Sequence, residues 1–362
     1  MQVLRLRLKE RSYDIFVGNR MLAKASGYPP SLSLGKDAVI ITNPLIQELH
    51  GKTLALGLKR GGFSVATLTV PDGEQSKSAK CAFGLMERLA RYDVDKKIFI
   101  VALGGGVVGD LAGFVAATYK RGVPFLQVPT TLLAQIDSAI GGKVGIDLAV
   151  GKNLVGAFYQ PRRVLSDVSL LSTLSARQIR NGLAEAVKYG VIADAELFHY
   201  VERNYAPLLL KDPKCLEELV VRCSRIKARV VAADEQETKG LRTILNFGHT
   251  VGHAVESAGG YKLYQHGEAV ALGMRVAATL SVGMKLLSVE DCGRLDRLLS
   301  CIGLPQRIRG LSLARILKPM AHDKKFQSGR NRFVLARDIG RVIVREGIPQ
   351  ALIKKAIRSR MA

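Results

Sequence analysis

Ile98-Phe99-Ile100-Val101-Ala102-Leu103-Gly104-Gly105-Gly106-Val107-Val108-Gly109-Asp110 decides the fold. Six apolar residues in a row are too few for a stable isolated helix and suit a strand buried on both faces. The next three residues are glycines, which end the strand in a tight turn. The apolar run continues to Ala117 with Asp110 as its only charge, so a membrane span has to be weighed. Five glycines, at 104, 105, 106, 109 and 113, weaken a helix across that run and favour strand, turn, then helix. The turn satisfies G-x-G-x-x-G in that setting, where glycines let backbone approach a pyrophosphate and a helix N-terminus supplies N–H donors. A standard dinucleotide fold would add an acidic residue about 20 positions later. Lys120, Arg121 and Phe125 stand there instead, so the domain reads as Rossmann-like but non-standard.

On either side of this stretch, short β-rich runs alternate with helical ones. Val3–Leu8 and Asp14–Val17 pair as a hairpin. Ala38–Thr42, Ser64–Val70 and Phe125–Val128 are further strands, and Leu45–Arg60 and Ser78–Tyr92 are helices between them. This predicts an α/β N-terminal domain with a parallel-rich sheet. After about Pro161 the pattern changes. Ser175-Ala176-Arg177-Gln178 is a capping box, and helical periodicity follows over Leu216–Ala233, Thr250–Ala258, Gly267–Leu287 and Val289–Ile302. The expected division is residues 1–165, a nucleotide-binding α/β domain, and residues 166–362, a mainly α-helical domain.

With 48% hydrophobic and 23% charged residues the chain has an ordinary globular composition. Its five cysteines are scattered with no C-x-x-C pair, which points to a reducing, cytoplasmic setting. Met1–Glu10 reads as a strand and not as a secretion signal. The net charge of +23 raises the question of nucleic acid, but the basic residues are dispersed and no recognition motif accompanies them. No specific nucleic-acid or membrane role is expected, and an anionic small molecule is.

The second informative stretch is Leu245-Asn246-Phe247-Gly248-His249-Thr250-Val251-Gly252-His253-Ala254-Val255-Glu256. It holds two of the six histidines four residues apart, on one helical face, with Glu256 three residues on. His266 follows, so half the histidines fall within 18 residues. Imidazoles so grouped suit a metal or acid–base site. Thr250-Val251 replaces the glutamate of H-E-x-x-H, which argues against a metalloprotease. Asn181–Gly190 puts Glu185 and Lys188 on one face amid apolar residues, as a salt bridge or as part of a site. Pro71-Asp72-Gly73-Glu74-Gln75-Ser76-Lys77, closing a strand, has the carboxylates and ammonium that ribose hydroxyls would take.

These pieces resemble the 3-dehydroquinate synthase family of sugar phosphate cyclases, over about Ala38 to Gly340. The strongest segments are Pro71–Lys77, Gly104–Thr118, Pro129–Gly145, Gly151–Pro161, Gly182–Gly190, Arg242–Glu256, His266–Met274 and Asp323–Lys325. The resemblance implies one NAD, one divalent metal (zinc in the first instance, or cobalt) and 3-deoxy-D-arabino-heptulosonate 7-phosphate (DAHP) as substrate. It implies transient oxidation of the C5 hydroxyl, elimination of phosphate, re-reduction and an intramolecular aldol closure. Glu185, His249 and His266 match the metal ligands, and His253 a residue handling a hydroxyl proton. Asp137 matches a carboxylate near the reacting hydroxyls. Lys188, Arg242 and Asn246 are grouped with these catalytic positions; together with Lys227 and Lys324 they match contacts to the substrate's carboxylate, hydroxyls and phosphate. Lys143 and Asn153 match a phosphate grip. Arg121 matches a phosphate contact reached from a neighbouring subunit, which implies a homodimer. Gly104, Gly105, Gly106, Asp110, Thr130 and Thr131 match NAD contacts, with Asp72, Glu74 and Lys77 on the ribose side. Asn43 stands where the family often has an acidic residue.

Two alternatives share parts of this pattern. A sister cyclase making an inosose or valiolone would share the NAD loop and metal ligands but lack a substrate carboxylate. A glycerol-dehydrogenase-like metal alcohol dehydrogenase would release NADH and have no use for Lys143 and Asn153.

Overall fold

The structure is a computed structural model that describes residues 1–27, 34–322 and 331–362, without the side chains at 321 and 322. The described chain forms two compact units, Met1–Leu174 with Leu216–Gln236, and Ser175–Cys215 with Glu237–Ala362. The segment 216–236, grouped by sequence with residues 166–362, therefore packs with the first unit.

The first unit is built on a seven-stranded sheet. Its strands are β1 (Gln2–Leu6), β2 (Tyr13–Gly18), β3 (Asp37–Thr42), β4 (Ser64–Thr69), β5 (Ile98–Gly104), β6 (Phe125–Pro129) and, beyond the hairpin of β7 (Lys143–Leu148) and β8 (Gly151–Phe158), β9 (Arg163–Asp167). The spatial order is β1-β2-β9-β6-β5-β3-β4. Only β1 and β2 pair antiparallel; every other neighbouring pair is parallel. Strands β3 and β5 are continuous apolar runs because both faces are covered. Val39, Ile41, Ile100 and Ala102 point into one core with Leu85, Leu111 and Val115. Ala38, Ile40, Phe99, Val101 and Leu103 point into the other with Leu54 and Leu58. This is the period-two alternation of a doubly covered sheet.

The flanking helices are the short α1 (Pro44–Ile46), α2 (Lys52–Lys59), α3 (Ala79–Tyr92) and α4 (Gly106–Thr118). At Gly109 a side chain would have to displace the amide of Gln127, and at Gly113 it is excluded by Val144. An added Cβ would lie 2.8 Å from Gln127 Oε1 in the first case and 2.3 Å from Val144 Cγ1 in the second. Those two glycines set how closely α4 lies on the sheet and on β7. The β7–β8 hairpin is an element that periodicity did not reveal. Gly145 and Gly156 sit opposite each other in its register, and a Cβ on either would strike the facing backbone.

Helix α5 (Ala176–Ala193) opens the second unit on the expected capping box, with Ser175 accepting from the Gln178 N–H. Helix α6 (Ala195–Leu209) follows, and α7 (Pro213–Ala233) carries the chain back to the first unit. The remaining helices are α8 (His249–Ala258), α9 (His266–Gly283), α10 (Val289–Cys301), α11 (Leu313–His322) and α12 (Gln350–Arg358). A second hairpin, β10 (Arg332–Asp338) with β11 (Arg341–Glu346), also went unread in the sequence; Phe333 and Leu335 bury its inner face in the core of α8, α9, α11 and α12. Among the described residues no helix is long and apolar enough to cross a membrane.

Candidate functional site

In the first unit, the chain leaves β3 for β4 on one side and returns to β5 on the other. Ligands of open parallel sheets settle beyond the carboxyl ends of the strands at such a reversal. Asn43 follows β3, residues 71–77 follow β4, Gly104–Gly106 end β5, and Thr130 and Thr131 follow β6. Four adjacent strands thus deliver the expected cofactor residues to one edge. Helix α4 starts there behind Gly105 with no side-chain cap, so its first N–H groups face that edge without a capping acceptor. The Thr130 hydroxyl is buried with no hydrogen-bond partner among the described residues. Asn43 caps α1 by accepting from the Ile46 N–H at 2.8 Å, and donates its amide to Asp72 at 2.6 Å.

A polar cluster lies beside this edge. Lys77 Nζ donates to Asp110 Oδ2 at 2.8 Å and also to Asn153 Oδ1, and stands 3.9 Å from Asp147. Asn153, in the left-handed region at φ 55°, donates its N–H to Asp147 Oδ1 at 2.7 Å. Glu74 pairs with Lys152 at 3.0 Å. Residues assigned by resemblance to ribose (Lys77) and to phosphate (Asn153) are thus in direct contact. Withdrawal from water pushes Asp110 up to about 6, against the pull of the Lys77 ammonium. Burial alone would lower Lys77, but Asp110 raises it. Asp147 and Lys152 were not singled out in the sequence, because the hairpin that presents them was not.

Elsewhere in the first unit, Lys227 on α7 donates to Asp137 Oδ1 at 2.6 Å. Lys143 is exposed on β7, as is Arg121 on the turn after α4, where Lys120 and Arg121 are both left-handed at φ 49° and 64°.

The second unit gathers the histidines. Ligand atoms of Glu185, His249 and His266 all lie within 4.8 Å of one another. Glu185 Oε1 is 3.5 Å from His249 Nε2 and 3.4 Å from His266 Nε2, and its carboxylate is fully buried. Lys188, one turn along α5 and also buried, pairs with Glu185 Oε2. Each imidazole is held from behind. His249 Nδ1–H donates to the Phe247 carbonyl at 3.2 Å, and His266 Nδ1–H to Glu256 Oε2 at 3.3 Å. Both Nε2 atoms are therefore left pointing inward.

The chain is shaped locally to do this. Gly248 sits at φ 80° just before α8, where a Cβ would lie 2.6 Å from Met274 Cγ. Only glycine suits that combination of backbone and crowding. The start of α9 is fixed by Asn181 Oδ1, which accepts from the Gly267 N–H, and by Glu268. Glu268 caps Gln265 and pairs with Arg177 through two bonds of 2.7 Å. His253, exposed on α8, has its ring 5.1 Å from that of His249 and 6.1 Å from that of His266. Arg242 is buried and 3.2 Å from Glu237; Asn246 is half-buried. Lys324 lies outside the described residues.

The electrostatics suit a cation. Burial and the nearby Lys188 ammonium hold His249 well below the usual imidazole range, so its Nε2 lone pair is available at neutral pH. Burial would also lower His266, but hydrogen bonds to Glu185 and Glu256 carry it up to about 10. Two carboxylates around one ring leave negative charge that a divalent ion would balance in place of that proton.

Two family models match adjoining stretches of the chain: the 3-dehydroquinate synthase N-terminal model over residues 67–181 and the C-terminal model over residues 182–326. The chain belongs to the 3-dehydroquinate synthase family. The 3-dehydroquinate synthase of Desulforamulus reducens is 46% identical over 352 residues, 97% of this chain and 98% of that protein. Among solved structures, a 2-deoxy-scyllo-inosose synthase complexed with carbaglucose-6-phosphate, NAD+ and Co2+ superposes with a TM-score of 0.91 at 28% identity, over 99% of this chain and 100% of that one. A 2-epi-5-epi-valiolone synthase from Streptomyces hygroscopicus with NAD+ and Zn2+ gives 0.87 at 28% identity, over 98% of each chain. The activity is that of a 3-dehydroquinate synthase, a phosphate-eliminating lyase of the shikimate pathway, and it implies DAHP as substrate.

Proposed function

We propose that Glu185, His249 and His266 hold the divalent cation of this synthase, zinc or cobalt, and that the carboxyl edge of β3 to β6 holds its NAD. The observation that carries the reading is the convergence of three ligand atoms, two of them imidazole nitrogens, within 4.8 Å. Its support from outside is the pairing of NAD+ with Co2+ or Zn2+ in the two superposed cyclases. When bound, NAD supplies a reversible hydride acceptor and the cation acidifies a hydroxyl and polarises a carbonyl.

The chain's own residues do the rest. His253, exposed beside both ligand histidines, accepts the proton of the substrate hydroxyl. Asp137 orients the reacting hydroxyls and is itself held by Lys227. DAHP carries a carboxylate and a phosphate, which demands cationic grip. Arg242, Asn246, Lys188, Lys227 and Lys324 serve the carboxylate, hydroxyls and phosphate, with Lys143 and Asn153 on the phosphate. Gly104, Gly105, Gly106 and the amides opening α4 serve the pyrophosphate of NAD, with Asp110, Thr130 and Thr131 near it. Asn43, Asp72, Glu74 and Lys77 serve the adenosine side. We further propose a homodimer in which Arg121 reaches the neighbouring subunit's phosphate.

The test is phosphate release from DAHP with catalytic NAD and zinc, with NADH absorbance followed in parallel. Stoichiometric phosphate and dehydroquinate without lasting NADH are expected. Phosphate released from glucose 6-phosphate or sedoheptulose 7-phosphate but not from DAHP would move the chain to a sister cyclase. NADH that persists with a simple alcohol would make it a dehydrogenase.

A further inference from the structure

Glu256 has no role in the scheme above, yet it is a carboxylate only 8% exposed. A buried carboxylate is costly unless a charged or hydrogen-bonding partner compensates it. It stands on α8 seven residues after His249, two turns along the same face, and its Oε2 receives the Nδ1–H of His266 at 3.3 Å. His266 begins the next helix, and its ring nitrogens meet carboxylates of two other helices, Glu256 of α8 and Glu185 of α5. The opposite nitrogen, Nε2, is the one 3.4 Å from Glu185.

We infer that Glu256 is a positioning residue for the cation site, fixing the tautomer and orientation of His266 and strengthening its Nε2 as a donor. This rests on the assignment of Glu185, His249 and His266 as ligands. The two histidines are anchored unequally. His249 leans on a neutral carbonyl, that of Phe247, whereas His266 leans on a charged carboxylate. A carboxylate behind a ligating imidazole polarises the ring toward the metal, and losing such a partner characteristically costs 10–100-fold in affinity. His253, Glu256 and His266 also bring ligand atoms within 4.8 Å of one another. A second cation there would have to displace the Nδ1 proton that Glu256 accepts, which favours positioning over ligation.

The experiment is Co2+ binding to the metal-stripped full-length protein, read by chelator competition and by the visible absorption of bound Co2+. Glu256→Gln keeps an acceptor oxygen but loses the charge; Glu256→Leu loses both. One Co2+ per chain is expected in the unaltered protein, bound about 10-fold more weakly by Glu256→Gln and closer to 100-fold by Glu256→Leu. The Co2+ spectrum should shift in both variants. Thermal melting of the metal-free Gln variant should match that of the unaltered protein, which a packing role would not predict.

If Glu185→Gln loses the ion while both Glu256 variants bind it with unchanged affinity and spectrum, the role of Glu256 is refuted and the ligand assignment stands. If Glu185→Gln binds as tightly as the unaltered chain, the ligand assignment fails, and this inference with it. Two Co2+ per chain, one of them lost with Glu256, would overturn positioning in favour of a second site with His253 and His266.

Discussion

The Lys77 ammonium lies 2.8 Å from the Asp110 carboxylate, with the lysine side chain only 5% exposed. Asp110 already sits at about 6 despite that ammonium, so Lys77→Met should raise it further. A carboxyl raised above its unfolded value favours the native state at low pH and loses that contribution as pH rises through the native value. The stability deficit of Lys77→Met should therefore widen between pH 4 and pH 8, reaching roughly 1–3 kcal/mol for the loss of one partner of a poorly hydrated pair. Urea denaturation at several pH values and the 13C shift of the Asp110 carboxyl read the two effects. A gap constant with pH would contradict the coupling.

Asp137 and Lys227 offer a double-mutant cycle. Lys227 is 7% exposed and its ammonium is 2.6 Å from Asp137. Lys227→Met should destabilise the protein more than the double change with Asp137→Asn, by roughly 1–3 kcal/mol, because the double change leaves no charge without this partner. Strictly additive effects would show that the pair is not coupled.

One substitution should have opposite signs at two glycines. At Gly113 an added methyl would meet Val144 Cγ1 at 2.3 Å, and valine cannot swing aside. Gly113→Ala should cost about 1–3 kcal/mol. At Gly84, inside α3, nothing lies within 4 Å of the added carbon. Gly84→Ala should stabilise by about 0.5–1 kcal/mol through helix propensity. Thermal melts of the two variants are the check.

Gly105→Ala probes the anion-binding edge. Its added carbon would lie 3.1 Å from Thr131 Cγ2, a contact that a small side-chain shift relieves. The fold should survive, while the methyl obstructs approach to the amides opening α4. NAD affinity should fall by about tenfold, near the 1.4 kcal/mol that one hydrogen bond to an anion is worth. Calorimetric titration with NAD measures it; an unchanged dissociation constant would remove the loop from nucleotide binding.

Much of the first unit was legible because buried parallel strands read as plain apolar runs ending in glycine or proline. The β7–β8 hairpin was not, since β8 is exposed on both faces and its glycines interrupt any alternation. Periodicity put Lys227 on a helix, but nothing in those residues says that the helix packs with the first unit. The histidine pair was visible from spacing alone. Glu185 precedes it by more than sixty residues; its helical face with Lys188 read only as a salt bridge or part of a site, and family resemblance made it a ligand, because a ligand set spread over three helices leaves no local pattern. Glu256 was noticed for its helical face, yet its partner His266 starts the following helix, and no spacing rule predicts which nitrogen it would hold.

The return of residues 216–236 to the first unit bears on how the chain is made and cut. A fragment ending at residue 174 would have every strand of the large sheet but not the helix that sets an ammonium on Asp137. On the ribosome, the first unit cannot be completed until synthesis has passed residue 236, after α5 and α6 have already emerged. Excising it for separate expression would mean splicing two distant pieces of chain, and the second unit would inherit the complementary gap.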